Sequence, residues 1–148
     1  MPANFLYGLG TNFVVEIDNC NNIGSEAFSE CKYIRNIVYT NFSGEIGSNA
    51  FSSAGLKQIH IPEGTTKIGD YAFNNCNPTE VIIPEGVIEL GNGSFSLNYN
   101  SSVSIIVPRS VTTIGYSAFY NAHIHVYSGS YAETWAIENG ADYSIMVE

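Results

Sequence analysis

The chain has 148 residues, 45% of them hydrophobic, and carries a formal net charge of −9 with only five basic residues. This length and composition allow one domain with a buried core, but so few cations exclude the basic patch typical of nucleic-acid binding or docking on an anionic membrane. No apolar run approaches the roughly 20 residues of a membrane helix. Residues 1–15 lack a basic region followed by a long apolar one, so no signal peptide is predicted.

The first predicted element is a strand in the stretch NFVVEIDNC. Val15 and Ile17 alternate with polar neighbours, which is the pattern of a strand with one buried face. Ile17 lies six residues before Ile23. In the later units, the second inward residue of the strand lies seven residues before the Ile or Leu of the next Ile-Gly or Leu-Gly pair. Residues 1–22 are therefore predicted to form an N-terminal cap or a degenerate repeat.

Residues 23–127 contain a recurring six-letter unit. IGSEAF begins at Ile23, and related units begin at positions 46, 68, 90 and 114, so the spacings are 23, 22, 22 and 24 residues. A period of this size predicts a solenoid, because stacked units bury a common core that a single unit cannot. The longest spacing includes residues 96–102, which are predicted to bulge from the side of the stack.

Each unit contains a short strand ahead of its Ile-Gly pair. In LKQIHIPEGTTKIGDYAFNNC, Ile59 and Ile61 alternate with polar residues and Pro62 ends the strand. The Ala-Phe segment is too short for an independent helix and is predicted to form a helical or 3-10 turn. Equivalent strands should stack in parallel about 4.8 Å apart. The recurring phenylalanines should then form one internal ladder, which consists of Phe28, Phe51, Phe73, Phe95 and Phe119.

The three cysteines are interpreted as core residues. Cys20, Cys31 and Cys76 occupy repeat positions that mostly hold small or apolar residues in the other units. Their spacing matches no zinc pattern, and an odd number does not suggest a disulfide framework. We therefore expect buried small hydrophobic side chains, without redox or ligand roles.

The C-terminal stretch SYAETWAIENG predicts a capping helix. Ser130 and Glu133 form a capping box, and Gly140 is placed to end the helix. Alternation at residues 143, 145 and 147 predicts a final strand. Residues 128–148 are thus predicted to be a C-terminal cap, and residues 1–148 a single domain.

The repeated unit resembles the BspA-type leucine-rich repeat, whose pattern is approximately LxxIxIPxxVxxIGxxAFxxC. The resemblance covers about Phe13 to the C-terminus, with four good copies and two degenerate ends. Tyr39 replaces the Ile-Pro strand end, and Pro78 and Ser102 hold the leading Leu position. The resemblance implies a β-rich leucine-rich repeat solenoid with a parallel concave sheet, short convex strands, helical or 3-10 turns and a C-terminal capping helix. A parallel β-helix of another family is the alternative fold, which the Ala-Phe turns fit less well.

The same resemblance implies a location at the cell surface or in secretions. It also implies adhesion or protein binding, with a protein partner such as a host extracellular or surface protein. It provides no catalytic residues and no cofactor.

Strand alternation places two columns of side chains on the outer face of the predicted concave sheet. The first column is Asn36, Gln58, Glu80, Ser104 and His123, and the second is Val38, His60, Ile82, Ile106 and His125. The second column is unusually apolar for a solvated surface, which indicates a partner site or strand stabilisation by β-branched residues. The predicted partner-binding residues are Gln58, His60, Glu80, Ile82, Ser104, Ile106 and His125.

No catalytic or metal site is predicted. His123 and His125 share a strand face about 7 Å apart, but His60 lies three strands away and no third ligand is evident, so solvated histidines are expected. The carboxylates are spread over turns, and no Gly-rich phosphate loop opens a helix. Two functions remain. The chain is either a non-catalytic binding or adhesion module that acts through the concave sheet, or a structural spacer or terminal segment of a larger surface protein.

Overall fold

The computed structural model describes residues 12–99 and 102–147. The N-terminal part of the predicted cap, residues 1–11, and the tip of the predicted bulge, residues 100 and 101, lie outside these ranges. The elements in chain order are β1 (Phe13–Asp18), β2 (Asn22–Ile23), β3 (Ile34–Thr40), β4 (Gly44–Ile46), β5 (Gln58–His60), β6 (Thr65–Ile68), β7 (Glu80–Ile82), β8 (Glu89–Leu90), β9 (Ser104–Ile106), β10 (Thr113–Ile114), β11 (His123–Tyr127), α1 (Tyr131–Asn139) and β12 (Tyr143–Met146).

These elements confirm the predicted solenoid. Every paired strand is parallel to its partner. The short strands that lead into each Ile-Gly pair form one five-stranded sheet in the order β10-β8-β6-β4-β2, which we call the back sheet. The odd-numbered strands and β12 lie on the opposite side, which we call the front face and which corresponds to the predicted concave sheet.

The front face is not one continuous hydrogen-bonded sheet. Strands β1 and β3 form one pair, β5 and β7 a second pair, and β9, β11 and β12 a three-stranded sheet. The first break lies beside Tyr39, where this unit departs from the Ile-Pro strand end of the others. The second break lies between β7 and β9, which the longest repeat separates. Local departures from the repeat pattern thus divide the front face, while the back sheet continues through all five units.

The Phe ladder forms as predicted. Successive ring centroids are 5.2, 5.2, 5.3 and 5.9 Å apart from Phe28 to Phe119, and the ring planes are nearly parallel. The edge of Trp135 from the capping helix packs on Phe119 at 5.9 Å. Phe51, Phe73 and Phe95 are fully buried, but Phe28 at the N-terminal end is only half-buried, because no described unit precedes it.

The glycine of each Ile-Gly pair is required by the close stacking of the units. A Cβ atom at Gly47, Gly69 or Gly115 would lie 2.4–2.7 Å from backbone atoms of the preceding unit. Real side chains do not tolerate such contacts, so only glycine permits this approach. Gly24, in the first unit, has no atom within 4 Å of its Cβ position. The recurrence of this residue pair therefore follows from the packing of one unit on the next.

The C-terminal cap also agrees with the prediction. The Ser130 side chain accepts a hydrogen bond from the Glu133 N–H, and the Glu133 carboxylate accepts one from the Gly129 N–H. Gly140 ends the helix in the left-handed conformation, with φ of 63°. The buried face of α1 consists of Ala132, Trp135 and Ala136, and β12 adds to the edge of β11.

Candidate functional site

The predicted site residues lie together on the front face. Parallel pairing aligns Gln58 with Glu80 and His60 with Ile82, and further along it aligns Ile106 with His125. The residues between them, Ile59, Val81 and Ile105, are buried in the core. Strand alternation therefore directs all seven predicted residues outward, as expected.

An apolar strip is the most distinctive feature of this face. It consists of Val38, Ile82 and Ile106, which expose 45%, 48% and 49% of their surface. All three belong to the second predicted column, in which His60 lies between Val38 and Ile82. Large aliphatic side chains in one column of a sheet surface favour contact with a partner.

A hydrogen-bonded pair crosses the centre of the same face. The Nε2 atom of His60 lies 2.6 Å from Oε2 of Glu80, and both side chains are about half exposed. An exposed pair of this kind contributes little to folding stability. It does hold a polar group in a fixed position between Val38 and Ile82, where it can orient a partner.

A cavity of about 530 Å³ opens at the break between β3 and β5. Val38, Tyr39, Phe42 and His60 contribute to its lining. The Tyr39 and Phe42 rings pack edge to face at 5.8 Å, and burial raises the pKa of the Tyr39 hydroxyl well above its usual value. The sequence signalled this place only through the replacement of Ile by Tyr39, and the predicted site did not include these lining residues other than His60.

The two histidines at the C-terminal end are held by the cap and are only partly exposed, so the expectation of solvated histidines is met only in part. His123 Nδ1 lies 3.0 Å from an Asp142 carboxylate oxygen, and its Nε2 lies 3.1 Å from Ser144 Oγ. His125 Nδ1 lies 2.6 Å from the same hydroxyl. Both side chains are half-buried. His125 is therefore part of the junction between β11 and β12, a contact that the repeat pattern alone could not reveal.

No group of three or more His, Cys, Asp or Glu residues within 12–99 and 102–147 is arranged to hold a metal ion. The rings of His123 and His125 are 5.0 Å apart and nearly perpendicular. Both ring nitrogens of His123 and the Nδ1 atom of His125 already contact Asp142 or Ser144. This arrangement ties the end of the solenoid to its cap.

A sequence model of the BspA type leucine-rich repeat region matches residues 14–132 in six copies. The chain belongs to the BspA-type leucine-rich repeat family. No curated protein and no solved structure matches the chain. BspA-type repeat proteins are generally protein-binding or adhesion modules and are typically surface-associated, and leucine-rich repeat solenoids are typically non-catalytic. Within the described ranges, no helix is long and apolar enough to cross a membrane.

The cysteine positions of this BspA-type repeat differ in burial. Cys76 is fully buried as expected, its Sγ lies 3.2 Å from the Phe51 carbonyl oxygen, and burial raises its pKa to about 12. Cys20 and Cys31 are only half-buried, so the expectation of full burial is wrong for them. Both lie near the N-terminal end of the stack, where no described unit covers them. All three thiols are free in the structure.

Proposed function

We propose that this BspA-type solenoid is a non-catalytic protein-binding or adhesion module that recognises a protein partner through its front face. The apolar strip is the observation that carries the proposal. Val38, Ile82 and Ile106 remain about half exposed, although the fold buries the intervening strand residues completely or nearly so. We further propose that the module acts at the cell surface or in secretions, which is the usual setting of its family.

The surroundings of the strip support a specific mode of binding. The cavity beside Val38 can accept an apolar or aromatic anchor, and such anchors in pockets dominate the energetics of many interfaces. The adjacent His60–Glu80 pair offers hydrogen-bonding groups that fix the orientation of the bound surface. The net charge of −9 favours a partner with a complementary basic surface, which increases the association rate.

The contributions of the predicted residues should differ. Ile82 lies in the middle of the strip, opposite His60, so we assign it the energetic centre. Gln58, Glu80 and Ser104 form the polar column beside the strip, and Ile106 extends the strip toward the C-terminus. His125 should contribute least, because Ser144 already engages its ring.

The test compares Ile82→Arg with Ile88→Arg. Ile88 belongs to the same unit but lies beside the back sheet, and its exposure of 46% matches the 48% of Ile82. Proteins captured from host extracellular material by the wild-type chain are quantified for each variant, and the affinity of any differentially captured protein is then measured. Loss of a central contact of at least about 2 kcal/mol should weaken binding about 30-fold for Ile82→Arg. Ile88→Arg should change it less than twofold, and both variants should melt near the wild-type temperature.

Two results would contradict the proposal. If no captured protein responds to Ile82→Arg, the alternative of a structural spacer or terminal segment gains support. If binding survives Ile82→Arg but is lost on substitution near Asn98, recognition occurs along the lateral edge of the solenoid. The thermal comparison separates either result from simple unfolding of the variant.

A further inference from the structure

The turn that contains each Ala-Phe pair donates a row of backbone hydrogen bonds to the next unit. In each unit, the donors are the backbone N–H groups of three residues. These are the third residue after the Ile or Leu that opens the unit, the Phe, and the second residue after the Phe. From the first unit to the fifth, three such bonds cross each junction, with N–O distances between 2.7 and 3.0 Å. Their donors are the N–H groups of Glu26, Phe28, Glu30, Asn49, Phe51, Ser53, Tyr71, Phe73, Asn75, Gly93, Phe95 and Leu97.

The same row is open in the last unit. Its donors are the N–H groups of Ser117, Phe119 and Asn121, which we call the edge donors. They make no hydrogen bond within the described ranges, because no sixth Ala-Phe turn follows them. Ser117 and Asn121 nevertheless keep the left-handed backbone conformation of most of the equivalent residues in earlier units, with φ of 52° and 61°. The last turn therefore presents a preformed row of donors in the geometry that already binds polypeptide carbonyls four times in this molecule.

The edge donors border a groove of about 680 Å³, which we call the C-terminal groove. Its other wall is the end of α1 and the residues after it, from Trp135 to Asp142. Tyr99, Tyr116 and Tyr120 lie along its rim and expose 79%, 79% and 62% of their surface. The volume is in the range of about 300–1,000 Å³ that is usual for ligand pockets.

We propose that the C-terminal groove binds a short segment of a partner polypeptide in the turn conformation of the Ala-Phe unit, whose carbonyl oxygens accept hydrogen bonds from the edge donors. The principle is that of strand addition, in which a peptide is recognised by an unpaired backbone edge. The tyrosine rings offer apolar faces to side chains of the bound segment. The lining contains one carboxylate, that of Asp142, which contacts His123 at 3.0 Å and is still 78% exposed, and no Lys or Arg among the described residues. The preferred segment is therefore neutral or basic.

Trp135 limits which segment fits. Its ring packs on Phe119 at 5.9 Å, where the ring of a further unit would lie. A bound segment must therefore carry a small residue at the position that corresponds to Phe in the repeat. This restriction disfavours a second copy of the chain as the occupant. The first unit does present unpaired carbonyls at Ser25, Ala27 and Ser29 within the described ranges. Stacking of these carbonyls on the edge donors would direct Phe28 to the place beside Phe119 that Trp135 occupies.

Amide hydrogen exchange on the isotopically labelled chain tests the open edge. In the free protein, the edge donors should exchange at least 100 times faster than the equivalent amides of Asn49, Phe51 and Ser53 in the second unit, on the order expected for unpaired backbone groups. Equal protection of the two sets would overturn the proposal, because it would mean that the row is already covered.

A peptide titration tests recognition. The probe is a synthetic peptide of residues 46–54 with the substitution Phe51→Gly, which retains the carbonyls that accept the three bonds in the intact chain. On addition of the peptide, changes in amide chemical shift and slower amide hydrogen exchange should concentrate on the edge donors. Tyr120→Ala should weaken peptide binding about threefold to tenfold. Tyr131→Ala is the matched control, since Tyr131 is exposed on α1 outside the groove lining. The unsubstituted peptide, which keeps Phe51, should bind at least about tenfold more weakly.

Three outcomes would overturn the proposal. One is the absence of shifts at the edge donors up to about 1 mM peptide. A second is a response confined to the front face. The third is protection that rises with protein concentration alone together with a dimer mass, which would identify a second copy as the occupant. Ile82→Arg should leave the peptide titration unchanged, so this result is independent of the front-face proposal.

Discussion

Ser94→Ala should make the protein more stable. Ser94 is completely buried, and its hydroxyl is the one side-chain N or O atom in the buried part of the described chain that lacks a hydrogen-bond partner. The corresponding positions in the other units are all alanine, namely Ala27, Ala50, Ala72 and Ala118, so the backbone around this site is already compatible with a methyl group.

The magnitude follows from two opposing effects. An unsatisfied buried polar group costs about 1–3 kcal/mol, and removal of one oxygen atom loses a smaller amount of packing. The net gain should be about 1–2 kcal/mol in the free energy of unfolding, which corresponds to about 2–8 °C in the melting temperature for a chain of this size. Urea and thermal unfolding followed by circular dichroism measure both quantities.

Two further variants make this test specific. Ser96→Ala in the same turn should change stability by less than about 0.5 kcal/mol, because Ser96 is only half-buried and its hydroxyl reaches solvent. Ala72→Ser in the preceding unit should destabilise by an amount similar to the gain at Ser94. A loss of stability in Ser94→Ala would refute the reasoning, since it would mean that the hydroxyl has a partner and that the packing at this turn differs from the structure described.

Three more outcomes are expected. Phe73→Ala should cost about 3–5 kcal/mol, because rings at 5.2 and 5.3 Å enclose it on both sides; Phe28→Ala at the half-buried end should cost clearly less, and similar losses would contradict the ladder. Burial raises the pKa of Cys76 to about 12, so the folded state holds the thiol proton more tightly than the unfolded state does, and the free energy of unfolding should fall by about 1.4 kcal/mol per pH unit as pH rises above about 9. Cys76→Ala should flatten this pH dependence in denaturant titrations, and the same pH dependence in the variant would contradict the prediction. Glu26 has the left-handed φ of 59°, which glycine adopts without strain, so the free energy of unfolding of Glu26→Gly should exceed that of the equally uncharged Glu26→Ala by about 1 kcal/mol. Equal stabilities of the two variants would show that the left-handed conformation carries no strain at this position.

The sequence predicted those parts of the structure that one unit passes on to the next. The spacing between strand and Ile-Gly pair placed His60 opposite Ile82, and the five phenylalanines fell into one ladder. The capping helix was also predictable because its signals are local, with the Ser130 hydroxyl at one end and Gly140 at the other. Each of these features depends on near neighbours or on a repeated contact, both of which are visible in the sequence.

The features that were missed depend on contacts that occur only once. Ser144 binds both His123 and His125 because the final strand pairs with β11, and no other unit supplies an equivalent residue. The cavity beside Tyr39 results from a single break in the front face. Cys20 and Cys31 are half-buried because they lie near an end of the stack. A periodic pattern contains no information about such places.

The same reasoning explains where this solenoid can interact with other molecules. Inside the stack, the Ala-Phe turns use the backbone donors and acceptors of their neighbours, with three hydrogen bonds across each junction. Free capacity remains in the outward side chains of the front strands, at breaks between them, and in the last unit. The two proposed surfaces correspond to these places: the apolar strip with its adjoining break, and the groove beside the edge donors. They differ in kind, since the first depends on side chains that a substitution such as Ile82→Arg can change. The second depends on backbone N–H groups whose positions are set by the fold, so its specificity must come from what surrounds them, namely Trp135 and the rim tyrosines.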